Sequence, residues 1–191
     1  AYLLRLEGAV PLDAIRQAGL RVVVDAMHGA GAGSLARALS GGAAVVREIR
    51  GERNPAFPGM AQPEPVERNL AWLRRRVVRS RAQVGLALDG DADRLGVVDE
   101  GGEFLTPLQV FALLCLYWLE VRRERGPLVR SVTMTAMVDK LGQLYGVPVF
   151  VTPVGFKYLG PVLQREQALA AGEESGGYAF RGTVPERDGI L

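Results

Sequence analysis

"QVGLALDGDADRLGVVDEGGEFL", residues 83–105, sets aspartates at alternate positions 89, 91 and 93, closes them with Arg94 and flanks them with apolar runs of strand length. "QVGLALD" (83–89) reads as a buried strand entering the acidic loop, and "LGVVDEGGEFL" as a hairpin whose turn is set by Asp99, Gly101 and Gly102. Two carboxylates about 4 Å apart repel by roughly 1 kcal/mol in water and roughly 4 kcal/mol at an effective dielectric near 20, so the cluster opposes folding until something neutralises it. In an extended strand, Cα atoms two residues apart are about 6.5–7 Å from one another, too far for three carboxylates to share one ion. The segment must therefore curl, and Gly90 and Ala92 are small enough to let it. Three monodentate carboxylates on one cation leave octahedral positions open for water or a phosphate oxygen, the pattern of magnesium in phosphoryl-transfer sites.

Two other readings of the loop compete. A polar turn rich in Asp and Gly needs no ion at all. A calcium EF-hand would place Asp89, Asp91, Asp93 and Glu100 at ligand positions, but its sixth position requires glycine and carries Arg94, and a strand rather than a helix follows.

Outward from this loop the chain alternates strands and helices. "LRVVVDA" (20–26) is a β-branched strand running into the Gly-rich turn and helix "MHGAGAGSLARALS" (27–40), and "AAVVREI" (43–49) is a second strand. A Pro/Gly-rich loop, "ERNPAFPGMAQPEP", leads to "VERNLAWLRRRVVRS" (66–80), whose apolar spacing predicts a helix. The pattern then restarts. "TPLQVFALLCLYWLEVRRER" opens with Thr106 as N-cap and Pro107 at the first helical position, and predicts about five turns to Gly126. "LVRSVTM" reads as strand, "AMVDKLGQLY" as helix, "VPVFVTP" as strand, "FKYLGPVLQRE" as a short helix interrupted near Pro161, and "ALAAGEESGGYAF" as strand, loop, strand. The fold class expected is α/β, two consecutive three-layer α/β/α domains with mixed, mostly parallel sheets, at 1–105 and 106–191.

Composition bounds the function. The 191 residues are 48% hydrophobic and 23% charged with a net charge of +2, a globular chain with a real core. Its basic residues, nearly all arginine, are scattered or lie on helices without interleaved aromatics, so no nucleic acid partner is expected. The apolar run around Cys115 is too short to span a bilayer and the first residues given lack the basic and apolar regions of a signal peptide, so no membrane association and a cytoplasmic location are expected. Cys115 reads as a buried inert thiol. A single histidine, His28, excludes multi-histidine metal sites and is expected to make a structural hydrogen bond.

Two loops of the second unit carry polar groups. "AGEESGG" (171–177) presents Glu173, Glu174 and Ser175 between glycines, suited to accept and donate hydrogen bonds to sugar hydroxyls. "TPVGFKYL" (152–159) places Gly155 and Lys157 at a helix start, where backbone donors and an ammonium can hold a phosphate. An ordinary acidic turn and a solvent-facing lysine are the competing readings. The turn "HGAGAGS", with Gly29, Gly31, Gly33 and Glu48 beyond, partly matches a dinucleotide-binding start, although its third glycine comes one residue early.

Together "DGDADR", "TPVGFKYL" and "GEESGG", in this order and spacing, resemble the α-D-phosphohexomutases, the phosphoglucomutase and phosphomannomutase group. The likeness extends over "VVVDAMHGAGAGS", "FPGMAQPEPVERNL" and the terminal "DGIL". It implies the second and third of four domains, the flanking domains with their serine nucleophile and phosphate-binding loop being absent from this chain. It further implies that Asp89, Asp91 and Asp93 hold Mg2+, that Arg94 helps neutralise the transferring phosphoryl group, and that Glu173, Ser175, Gly155 and Lys157 contact a hexose phosphate substrate. "GEESGG" with "TPVGFKYL" resembles the phosphoglucomutase branch more than the phosphomannomutase branch. Related members can carry histidine at the positions of Phe156 and Gly177, so those contacts do not transfer. The implied reaction interconverts sugar 1- and 6-phosphates through a phosphoserine and a bisphosphorylated sugar, and the isolated chain is expected to be inactive. The alternative class is a non-catalytic magnesium- or sugar-phosphate-binding module.

Overall fold

In the computed structural model, which describes residues 2–191, the chain divides into two compact units, the first running to Leu105 and taking in Gly189–Leu191, the second spanning Thr106–Asp188. Gly189–Leu191 pack with the first unit, where Ile190 and Leu191 join a hydrophobic core and the Gly189 N–H donates to the Ala92 carbonyl (3.1 Å).

The first unit contains α1 (Tyr2–Ala9), α2 (Leu12–Gln17), β1 (Arg21–Asp25), α3 (Ser34–Leu39), β2 (Val45–Ile49), α4 (Ala71–Ser80), β3 (Val84–Leu88), β4 (Leu95–Asp99) and β5 (Phe104–Leu105). Its five-stranded sheet has the order β2-β1-β3-β4-β5, with β2, β1 and β3 parallel and β4 and β5 antiparallel additions. Alternation along β1 serves both faces. Val22 and Val24 pack with Leu6, Leu12, Leu35 and Leu39 of α1–α3, while Val23 packs with Leu73 and Val77 of α4, giving three layers. The helix expected over 66–80 begins later, at Ala71 behind a 3-10 turn at Glu67–Asn69. Its first residue cannot continue a helix, because Val66 is extended (φ −95, ψ 155).

The second unit contains α5 (Pro107–Leu116), β6 (Leu128–Ser131), α6 (Met137–Tyr145), β7 (Val149–Thr152), α7 (Phe156–Arg165), β8 (Ala170–Gly172) and β9 (Tyr178–Phe180). The sheet order is β7-β6-β8-β9, parallel except for β9. Val129, Ala171 and Ala179 bury one face under Phe156, Leu159 and Leu163 of α7; on the other, Phe111 stacks on Tyr178 (5.6 Å between ring centroids). A capping box joins Thr106 and Gln109 at the start of α5. Its end differs from expectation: the helix widens into a π turn at Tyr117–Val121 and stops short of Gly126. There the Arg125 guanidinium takes the Leu119 carbonyl (2.6 Å) that a continuing helix would use. α7, by contrast, runs through Pro161 without the expected break. The proline removes the bond to the Lys157 carbonyl, with Lys157 and Pro161 both on the exposed side of the helix, and the buried stripe of Phe156, Leu159 and Leu163 holds the helix.

Candidate functional site

In the first unit the acidic loop leaves the carboxyl end of β3, where open α/β sheets bind ligands. Ala92 adopts φ +66, so the loop does curl, and one carboxylate oxygen from each of Asp89, Asp91 and Asp93 lies within 4.8 Å of the others. The three are not equivalent. Asp89 is buried, its Oδ1 accepting the backbone N–H groups of Asp93 (2.9 Å) and Arg94 (3.0 Å) and its Oδ2 accepting Arg94 Nε (2.6 Å). Asp91 is exposed and Asp93 half-buried, the latter 3.6 Å from Arg94 Nε. Burial alone would lower the Arg94 pKa, but hydrogen bonds and charge from Asp89 and Glu64 outweigh it and raise it. An all-oxygen carboxylate set suits a hard divalent cation. Antiparallel strands β3 and β4 flank the loop, so the helix pair of an EF-hand is not there.

The Gly-rich turn packs against this loop. A Cβ on Gly29 would stand 2.6 Å from the Gly90 carbonyl oxygen and 2.9 Å from that of Asp89. Gly33 N–H donates to Glu48 Oε1 (2.9 Å), so the acid of the partial dinucleotide-binding match occupies the turn's own donor. The dinucleotide reading therefore fails on geometry. His28 (φ +59) places Nδ1 2.8 Å from the Glu52 carbonyl, a structural hydrogen bond.

The sequence reading missed a buried ion pair at the end of β1. Arg50 Nε donates to Asp25 Oδ1 (2.8 Å), Arg50 Nη2 pairs with Asp25 Oδ2, and Met27 N–H donates to Oδ1 (3.1 Å). Only the charge itself, at the end of the apolar run "VVVD", hinted at it.

In the second unit the two polar loops meet. Glu173, buried at the end of β8, accepts the Gly155 N–H at the start of α7 (2.7 Å). Gly155 has φ +120, which a side chain would strain. Ser175 Oγ is buried with no hydrogen-bond partner among the described residues. Lys157 is exposed, its ammonium 5.1 Å from the centroid of the Tyr158 ring. Sequence reading also missed Arg187, which brings Nη1 to 3.7 Å from Glu173 Oε2, lies over the Phe156 ring and runs its stem against Gly177. No local pattern marks it; folding alone brings it there. Glu174 turns the other way and accepts Ser131 Oγ (2.9 Å).

The paired glutamates titrate in opposite senses. Burial raises the Glu173 pKa above its ordinary 4.5, against the opposing pull of the Gly155 N–H and Arg187. Burial also acts on Glu174, but hydrogen bonds from Thr133, its own backbone and Ser131 prevail and lower it below 4.5. Glu173 thus adds stability below pH 4.5 that is lost as pH rises through its folded value, and Glu174 adds stability above pH 4.5 that is lost on acidification. Urea midpoints followed across this range should fall more steeply with acid in Glu173→Gln than in the parent, and less steeply in Glu174→Gln. Parallel curves for all three would show that neither shift is present.

A family profile described as "Phosphoglucomutase/phosphomannomutase, alpha/beta/alpha domain II" matches residues 1–102, and the corresponding domain III profile matches residues 106–191. A phosphoglucomutase/phosphomannomutase of Thermococcus kodakarensis is 32% identical over 100% of this chain and 41% of its own length. A phosphoglucosamine mutase of Nitratidesulfovibrio vulgaris is 33% identical over 100% of this chain and 42% of its own. The crystal structure of a phosphomannomutase-type protein from Thermus thermophilus superposes with a TM-score of 0.90 at 38% identity, covering 99% of this chain and 44% of that one. This chain therefore spans about two fifths of the length of the curated relatives it matches. With both α/β/α units matched along their lengths, the chain belongs to the phosphoglucomutase/phosphomannomutase family, as its central domains II and III.

Proposed function

We propose that this chain is the central part of a phosphohexomutase that interconverts sugar 1- and 6-phosphates, with 1–105 as the metal-binding domain and 106–191 as the sugar-binding domain. The observation that carries the reading is the convergence of three carboxylate oxygens within 4.8 Å beside a guanidinium held on the same loop. Asp89, Asp91 and Asp93 would hold Mg2+, which when bound supplies charge neutralisation at a phosphoryl oxygen. Arg94 adds a second positive charge there. Phosphoryl transfer is mainly positioning and electrostatics, so such an inventory is sufficient for this part of the machinery.

On the sugar side Glu173 accepts from ring hydroxyls. The unpartnered Ser175 Oγ is a desolvated polar group whose cost is recovered when a ligand hydroxyl meets it. Lys157 supplies a donor from the neighbouring loop, and Gly155, whose N–H is given to Glu173, orients that carboxylate toward the sugar. A mutase must accept its sugar phosphate in two orientations, and hydroxyl contacts near mid-ring serve both poses. Relatives named for different sugars leave the hexose phosphate class as the substrate, with the phosphoglucomutase-like loops "GEESGG" and "TPVGFKYL" favouring glucose. The serine nucleophile and the distal phosphate loop would come from flanking domains.

Phosphorus NMR tests this directly. A polypeptide carrying this chain between those flanking domains should interconvert the 1- and 6-phosphates of glucose, mannose or glucosamine in the presence of Mg2+ and a trace of the bisphosphate, and stop on chelation. The 191-residue chain alone should give no turnover. Turnover by the chain alone, or none of any hexose phosphate by the longer protein, would contradict the proposal.

A further inference from the structure

The loop "QPEPV", residues 62–66, lies along the acidic loop as a strap: Pro63 and Glu64 meet the loop, and Pro65 meets the start of β4. Pro63 accepts the Gly90 N–H (3.0 Å) and its ring fills the space beside Gly90, where a Cβ would stand 2.8 Å from Pro63 Cγ. Glu64 Oε1 takes Arg94 Nη1 (3.2 Å). Pro65 packs on Gly96, whose Cβ would stand 2.8 Å from Pro65 Cβ. Asn69 holds the strap from behind: its Nδ2 donates to the carbonyls of both Gln62 and Glu64, each at 2.8 Å, while its own carbonyl accepts Arg50 Nη2 (3.0 Å). The strap is thus tied to the buried Asp25–Arg50 pair.

Arg94 is consequently held at two points. Asp89, five residues away on the same loop, takes Nε; Glu64, thirty residues away, takes Nη1; neither contact uses Nη2. One anchor fixes a guanidinium in space but still allows the intrinsically hindered turn about its delocalised Nε–Cζ bond, which exchanges Nη1 and Nη2. The second anchor stops that turn. The prolines on either side of Glu64 fix their own φ angles and restrict the backbone that carries it.

We propose that Glu64 is a positioning residue for the Arg94 guanidinium and that Asn69 acts through it, holding the strap so that Nη2 is the edge reserved for a phosphoryl oxygen. The assignment of that oxygen rests on the mutase reading; the positioning itself does not. It predicts slow rotation about Arg94 Nε–Cζ in the metal-free chain, measurable by nitrogen-detected NMR. Glu64→Ala should speed the rotation roughly tenfold or more, and Glu64→Gln, which keeps an acceptor without the charge, by less. The pair is partly exposed, so the melting temperature should change by only about 5 °C or less. Asn69→Asp keeps the side-chain size but loses both donors, and should approach the rate of Glu64→Ala. Combined with Glu64→Ala it should add nothing further, the signature of two residues acting as one unit. Unchanged rotation in Glu64→Ala would overturn the proposal, as would independent, multiplying effects of the two substitutions. A chain with a fixed Arg94 that takes up no divalent ion would sink the mutase reading and leave the positioning assignment standing.

Discussion

Arg50→Met should cost the first unit about 3–5 kcal/mol, the penalty for leaving one member of a buried ion pair without its partner. Asp25 is fully buried and the Arg50 side chain is 7% exposed, so methionine fills the stem's volume but leaves the carboxylate with Met27 N–H as its remaining hydrogen bond. It also releases the Asn69 carbonyl and the contact to Met60 Sδ, which tie the loop after β2 to the sheet. For a unit of this size the loss corresponds to a fall in melting temperature of roughly 15–25 °C. The companion test is the pair Asp25→Asn with Arg50→Met. The amide keeps the hydrogen bond to Met27 N–H without a stranded charge, so the double variant should recover at least half of the lost stability. A double variant worse than Arg50→Met alone would mean that the penalty lies in lost packing and not in the uncompensated carboxylate.

The second large effect is expected at Gly29. An added methyl there meets two backbone carbonyl oxygens, those of Asp89 and Gly90, rather than the flexible end of a side chain. Both oxygens belong to the acidic loop, and the Gly90 carbonyl already accepts the Ala30 N–H (2.8 Å). Gly29→Ala should therefore destabilise by about 1–3 kcal/mol, the usual cost of overpacking. It should also displace the loop, so a denaturant titration and the amide spectrum of residues 89–94 check it together. Gly33→Ala is the contrast: nothing stands within 4 Å of its Cβ position, and its strain comes only from a φ of +74. If Gly29→Ala were as stable as the parent with the loop's spectrum unmoved, the close approach of turn and loop would be wrong.

The turn illustrates what sequence reveals and what it withholds. Strand and helix periodicities identify the alternating elements, because each strand and helix must bury an apolar face or stripe, and that need is written locally in "RVVVD", "VGLAL" and "FKYLGPVL". The glycines announce a close approach but not to what; sequence alone could equally mean a pyrophosphate. Asp89, Asp91 and Asp93 are legible as a group because their spacing is local, and Glu173 and Gly155 because each lies in a recognisable loop. Arg50, Glu64 and Arg187 carry no local signature. Their partners lie 25, 30 and 14 residues away, and such pairings exist only once the sheets have placed the loops beside one another. Helix ends are misread for the same reason: the π turn after α5 depends on where the Arg125 side chain goes, and the unbroken α7 on packing beneath Pro161.

Of the three aspartates, Asp91 offers the cleanest test of the metal assignment. Asp89 organises the loop and cannot be altered without disturbing it, whereas Asp91 is exposed and its carboxylate makes no hydrogen bond or ion pair among the described residues. Calorimetric titration of the chain with Mg2+, and with Mn2+ as a second probe, should give saturable one-site heats that Asp91→Asn weakens at least about tenfold while the melting temperature without metal stays the same or rises. Equal heats from parent and variant, or none from either, would contradict the claim that these carboxylates are gathered around a divalent ion.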